Sequence, residues 1–270
     1  MTRSKSVPPS RTKAFSQALA AEQRRRQDRS PFTTLEAMFR WVIPTLHGAM
    51  AASLPRVACG VPGHWFDDVQ RLVEAPDDDP MRGLMRKYFD MVVHGRPFED
   101  ICLGLTAEYG DKYLGQCFTP VDVAAVLTQL LERREESDAQ TWARIDRRFR
   151  HEGDYFSMGD ETGCGTGVLM LEALARAHAR FSPFQPQCLQ THAVVLNDID
   201  RQVATIAYGQ TLAHSVLHGR PIGALLGFQR DAIAHPCVGE PDLYAIVDAR
   251  FYRARQARRN PAPLCDTVPT

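Results

Sequence analysis

Around residue 160 the chain runs from Tyr155-Phe156-Ser157-Met158-Gly159-Asp160 into Glu161-Thr162-Gly163-Cys164-Gly165-Thr166-Gly167. It continues into Val168-Leu169-Met170-Leu171-Glu172-Ala173-Leu174-Ala175. A short apolar run, three glycines at alternate positions and a helical apolar pattern predict a strand, a tight turn and a helix. Glycine lets the backbone turn sharply and approach a ligand with no Cβ between them. A helix opening directly after the turn aims backbone N–H groups at whatever lies there. The acids just ahead, Asp160 and Glu161, suit a ligand with a cationic group. The spacing is G-x-G-x-G, not the G-x-G-x-x-G of dinucleotide binders. The expectation is a nucleoside-cofactor loop, with S-adenosylmethionine the leading candidate and a plain surface turn the alternative.

With 270 residues the chain has room for one large domain or two modest ones. No run of about eighteen apolar residues occurs, so no membrane span is expected. The seven cysteines are odd in number and contain no C-x-x-C pair. That argues against a zinc site or disulfide framework and for a reducing, cytoplasmic setting. His47, His64 and His94 show no metal-ligand spacing. The formal net charge is zero but unevenly spread. Arg3, Lys5, Arg11, Lys13, Arg24, Arg25, Arg26 and Arg29 crowd the start, and Arg250, Arg253, Arg255, Arg258 and Arg259 the end. Basic ends on a neutral body fit contacts to a polyanion such as DNA. Solvated, mobile termini are the bland alternative.

Taken in order, residues 1–30 form a basic segment expected to be disordered to about residue 12, with a short helix over Ala14–Arg26. Residues 31–97 carry helical spacing broken at Gly60-Val61-Pro62-Gly63 and at Ala75–Pro80, which predicts a helical subdomain. Ser30–Glu36 is expected to open its first helix with a threonine cap. An amphipathic helix is expected after Gly115-Gln116-Cys117-Phe118-Thr119-Pro120, and Glu132–Arg150 as its end plus a solvated connection. Beyond the glycine loop, strands are expected at Thr191–Asn197, Ala224–Gln229 and Asp242–Val247. They close on Asp198, on Asp231 and on Asp248-Ala249-Arg250-Phe251. Strand–helix alternation with polar residues at each strand's C-terminal end is the layout of an open α/β sheet that binds ligands along that edge.

The pairing of G-Q-C-F-T-P with E-T-G-C-G-T-G resembles the N-6 adenine-specific DNA methyltransferases, including the modification subunits of type I restriction systems. The resemblance covers roughly residues 98–251 and implies a Rossmann-like S-adenosylmethionine-dependent methyltransferase sheet behind an N-terminal helical subdomain. Residues 252–270 are left as a basic tail. By this resemblance Phe118, Thr119 and Pro120 border the methionine end of the cofactor. Gly165 and Gly167 hold the loop against it, with Gly163 at the family's variable position and Glu161 replacing the usual aspartate. Asp198 would accept from the ribose hydroxyls, with Asp200 as a weaker candidate and a helix N-cap as the alternative role. Asp231 would sit near the cofactor's adenine, with Phe228 or Ile199 as ring contacts.

At the catalytic position the family carries N-P-P-[FYW], on whose aromatic ring a flipped adenine stacks. Here the segment is Asp248-Ala249-Arg250-Phe251. Asp248 keeps an acceptor and Phe251 the aromatic, but both prolines are gone and Arg250 adds a positive charge. Only nineteen residues follow Phe251, too few for the family's remaining strands. The sheet is therefore expected to be incomplete, with an exposed edge for the tail, the N-terminal helices or a partner subunit to cover. Two readings follow: transfer of a methyl group to the exocyclic amine of adenine in DNA, or a truncated, inactive relative that binds cofactor, DNA or both. A nicotinamide-dependent oxidoreductase fits poorly, because the acid falls 31 residues after Gly167 rather than about 20 past the fingerprint.

Overall fold

The computed structural model describes residues 9–53, 56–57, 63–102, 119–131, 136–160, 163–234 and 241–248. Helices α1 (Pro9–Arg26), α2 (Pro31–Ser53), α3 (Gly63–Glu74) and α4 (Pro80–His94) come first. A two-residue strand, β1 (Arg56–Val57), lies between α2 and α3. Helices α5 (Val121–Leu131) and α6 (Asp138–Arg147) precede β2 (Phe156–Asp160). Then come α7 (Val168–Phe181), β3 (His192–Asn197), α8 (Arg201–Leu217), β4 (Ala224–Phe228) and β5 (Tyr244–Asp248).

The result is an α/β fold on a mixed sheet of order β1-β5-β4-β3-β2. Strands β2, β3 and β4 are parallel, joined through α7 and α8. The last long strand departs from the open parallel layout: β5 runs antiparallel to β4, with Val247 opposite Ala224 and Tyr244 opposite Gly227. The connecting chain explains the reversal. A parallel return needs a crossover of a dozen or more residues, usually a helix. Residues 229–243 carry Pro236, Gly239 and Pro241 and no helical apolar period. β1 pairs antiparallel with the far side of β5, so part of that edge is covered by the N-terminal region. No strand pairs with the outer edge of β2 among the described residues.

Helix α8 organises the core. Every residue from Val203 to Ser215 is buried, because α2 covers one side of the helix and β3 and β4 the other. Alternating small residues allow this sandwich, and at Gly209 the ring of Phe39 occupies the space a Cβ would need. The same apolar cluster takes in Phe15 and Leu19 of α1, Tyr88 of α4, Leu171 of α7 and Ile246 of β5. The helical N-terminal region thus shares its core with the sheet.

Three local expectations are corrected. Helix α1 starts at Pro9, ahead of the expected boundary, because Phe15 and Leu19 bury against α4. The cap of α2 is Ser30, not a threonine: its Oγ accepts from the Phe32 N–H, with Pro31 in the first turn. Within Glu132–Arg150 a separate helix, α6, forms behind a Ser137–Gln140 capping box and buries Trp142 and Ile145.

Candidate functional site

Because β2, β3 and β4 are parallel and in register, their C-terminal ends share one edge of the sheet. The glycine loop leaves that edge after β2. Its Cys164 N–H donates to the Asn197 carbonyl at 2.8 Å, which ties the loop to the end of β3, and Gly167 N–H closes it onto the Cys164 carbonyl at 2.8 Å. Gly165 and Gly167 have φ of 52° and 98°, a region side chains rarely adopt. A Cβ on Gly167 would also stand 3.2 Å from that of Ala207 on α8. These glycines are therefore demanded by backbone conformation and by close packing of α8 on the loop.

Asp198, the first residue past β3, faces the loop. Its carboxylate accepts the Gly165 N–H at 2.9 Å and the Asp200 N–H at 2.9 Å. Burial pushes its pKa above the usual carboxylate value, while the N–H donors of Asp200, Gly165 and Ile199 pull it back and the Asp200 charge opposes them. A carboxylate can accept about four hydrogen bonds, so capacity remains for a ligand hydroxyl. Asp200 takes the capping role, accepting from Gln202 N–H at the start of α8. The two acids are thus separated: Asp198 on the loop, Asp200 on the helix.

Helix α5 opens at Thr119 and Pro120. Pro120 accepts from Ala124 N–H at the opening of α5. One turn on, Ala124 packs against Val168, the first residue of α7 after the loop, with Leu169 alongside. The Thr-Pro step and the glycine loop thus enter neighbouring helix starts. Phe118 and Glu161 lie outside the described residues, as does Phe251. Gly163 is exposed, its Cβ direction open except for Asp198 Oδ2 at 3.9 Å.

At the end of β4, Asn197 and Arg230 exchange two hydrogen bonds, side chain to backbone. Arg230 also covers the ring of Phe228 at 4.8 Å and pairs with Asp242. Phe228 is therefore buried and unavailable as a ring contact, whereas Ile199 is 65% exposed beside Asp198. Asp231 is on the correct edge, but its carboxylate accepts from the Ile233 and Ala234 N–H groups in a local turn.

Asp248 does not join the site. Since β5 is reversed, its C-terminal end lies by Ala224, the first residue of β4. That is the edge opposite the glycine loop. The expected catalytic position is thereby corrected for Asp248, and the reason is strand direction.

Two residues that motif reading passed over touch the loop. Thr166 Oγ donates to Asp100 Oδ2 at 2.8 Å, and Gln210 Nε2 donates to the Thr166 carbonyl at 2.9 Å. Asp100 is distant from the loop in sequence, and Gln210 looks like an ordinary polar position of a helix, so neither carries a local signal.

Two clefts lie elsewhere. One of about 590 Å³ runs beside β2, lined by Thr128, Arg144, Met158, Met170, Arg180 and His192 among others. The second, about 500 Å³, lies between α2 and α3 around Arg40 and Asp68. Among the described residues, the glycine loop lines neither. Compared with known proteins, the chain matches no family model, no curated protein and no solved structure.

Proposed function

We propose that this chain binds S-adenosylmethionine at the C-terminal edge of β2 and β3, as a methyltransferase-like protein similar in motif to the N-6 adenine-specific DNA methyltransferases. One observation carries the reading. Asp198 closes onto Gly165 while holding acceptor capacity toward the space in front of the loop, the arrangement a ribose diol needs beside a close backbone approach. The reversed β5 favours the binding form of this reading over self-sufficient catalysis, since it carries Asp248 away from the bound methyl group.

Methyl transfer to DNA adenine is the second reading, favoured by the Thr119–Pro120 step opening a helix that packs against the helix the loop enters. It requires an acceptor other than Asp248. The basic N-terminal segment lends DNA contact less support than its charge count suggested: Arg11, Arg25 and Arg26 pair with Asp90, Glu22 and Asp28. A partner chain is part of the proposal. The outer edge of β2 is unpaired among the described residues, and the neighbouring α5 exposes Val123, Val126, Leu127 and Leu130 at helical spacing. Contiguous apolar exposure of this kind marks contact surfaces.

Calorimetry with S-adenosylmethionine and tritiated-methyl transfer to unmethylated DNA, on one preparation, test both readings. Micromolar binding without label is expected, with Asp198→Ala weakening binding at least about tenfold. Unchanged affinity in Asp198→Ala removes the ribose role, and label in DNA establishes the catalytic reading.

A further inference from the structure

Gln210 is fully buried in the middle of α8, yet it is polar and reaches the glycine loop from behind. Its carboxamide is used at both ends. Oε1 accepts from the Ile101 N–H at 3.1 Å and the Cys102 N–H at 3.2 Å. Nε2 donates to Asp100 Oδ1 at 3.0 Å and to the Thr166 carbonyl at 2.9 Å. Asp100 in turn accepts from the Thr166 hydroxyl at 2.8 Å and from the Cys102 N–H at 3.0 Å. One turn along α8, His214 Nδ1 accepts from the Phe98 N–H at 3.0 Å. Phe98 is a bulky residue at φ 61°, a conformation that persists only where surrounding bonds impose it.

This is more than filling of a core. A buried carboxamide costs free energy unless its groups are paired, and leucine in its place would leave the Ile101 N–H and the Thr166 carbonyl without this partner. Here the pairing joins three separated pieces of chain: the loop at Thr166, the arm at residues 98–102 and the middle of α8. The loop's front is held by Asp198 on Gly165 and its back by Gln210 and Asp100 on Thr166. With both ends fastened, the Gly165–Gly167 backbone has little freedom left to lose when a ligand arrives.

We infer that Gln210, acting with Asp100 through Thr166, is a positioning residue that presets the glycine loop for the nucleoside cofactor. The inference rests on the cofactor-binding reading above, but it has a consequence in the ligand-free protein as well. Replacing the carboxamide by a carboxylate in Gln210→Glu removes both donors and sets a negative charge against Asp100, at nearly unchanged volume.

The test compares wild type, Gln210→Glu, Thr166→Val and the swapped pair Gln210→Glu/Asp100→Asn. Three quantities are measured: S-adenosylmethionine affinity, thermal midpoint, and hydrogen exchange of the Gly165 and Gly167 amides without ligand. Gln210→Glu should exchange these amides about tenfold faster and bind the cofactor about tenfold more weakly. The swapped pair, which moves the amide donor onto the arm and the carboxylate acceptor onto α8, should regain part of both. Thr166→Val, which removes one hydroxyl at constant shape, should move both in the same direction and serves if Gln210→Glu does not fold. Wild-type amide exchange and affinity in these variants overturns the inference. Fast exchange in the variants with no cofactor binding by wild type leaves the positioning role intact and defeats the S-adenosylmethionine reading instead.

Discussion

Burial of imidazoles is the single-residue feature with the clearest measurable consequence. His47 sits in the core with Nε2 3.0 Å from the Tyr208 hydroxyl, His192 packs between Phe156 and Phe181, and His214 accepts from Phe98. Desolvation lowers all three, to about 4 for His47 and His192 and about 3 for His214. In the unfolded chain they return to about 6.5. A depressed pKa means the unfolded state binds protons first, so the stabilisation is complete above about pH 6.5 and is lost as pH falls toward 4. Each unit is worth about 1.4 kcal/mol per group. The urea midpoint should therefore drop steadily from pH 7 to pH 4.5, and His47→Gln should flatten part of that slope. A constant midpoint across this range would mean that water reaches these rings. Asp198 has the opposite sign: its raised pKa makes the charged form a cost to folding.

Among elements, α8 and α5 are extremes. α8 is enclosed on all sides, and at Gly209 an added methyl group would meet the Phe39 ring of α2. Gly209→Ala should lower stability by about 1–3 kcal/mol through overpacking, despite alanine's better helix propensity; a raised thermal midpoint would show that α2 shifts freely. α5 is the reverse. Its apolar periodicity predicted a buried face, but among the described residues only Ala124 and Thr128 of this helix are buried and Leu130 is 76% exposed. Leu130→Glu should leave the stability of the isolated chain within about 0.5 kcal/mol of wild type while raising its solubility. Periodicity reports that a helix has an apolar face. It does not say which molecule covers that face.

For the molecule as a whole, the direction of β5 decides which strand ends share the edge of the glycine loop. β5 is anchored at Tyr244, whose hydroxyl donates to the buried Asp68 at 3.2 Å, and Arg40 closes on the same carboxylate. These contacts fix the strand between β4 and β1 with its C-terminal end away from the loop. Asp248→Ala should accordingly leave cofactor affinity and any methyl transfer unchanged. Abolished transfer with intact binding would place Asp248 back at the active edge and contradict the antiparallel register.

The glycine loop, α7, the three parallel strands and Asp198 were all legible in the linear chain. Each is encoded by neighbours a few residues apart: glycine where φ is positive, short apolar runs where strands form, an acid just past a strand end. The Gln210–Asp100–Thr166 junction, the reversal of β5 and the bare face of α5 were not. They depend on which distant segments meet, and a polar residue in a helix or an apolar strand reads the same whichever neighbour it finds. Local pattern thus determined that a glycine loop joins strand to helix and where the acid facing it lies. Tertiary packing alone decided what braces that loop from behind and which strand end stands on the opposite edge of the sheet.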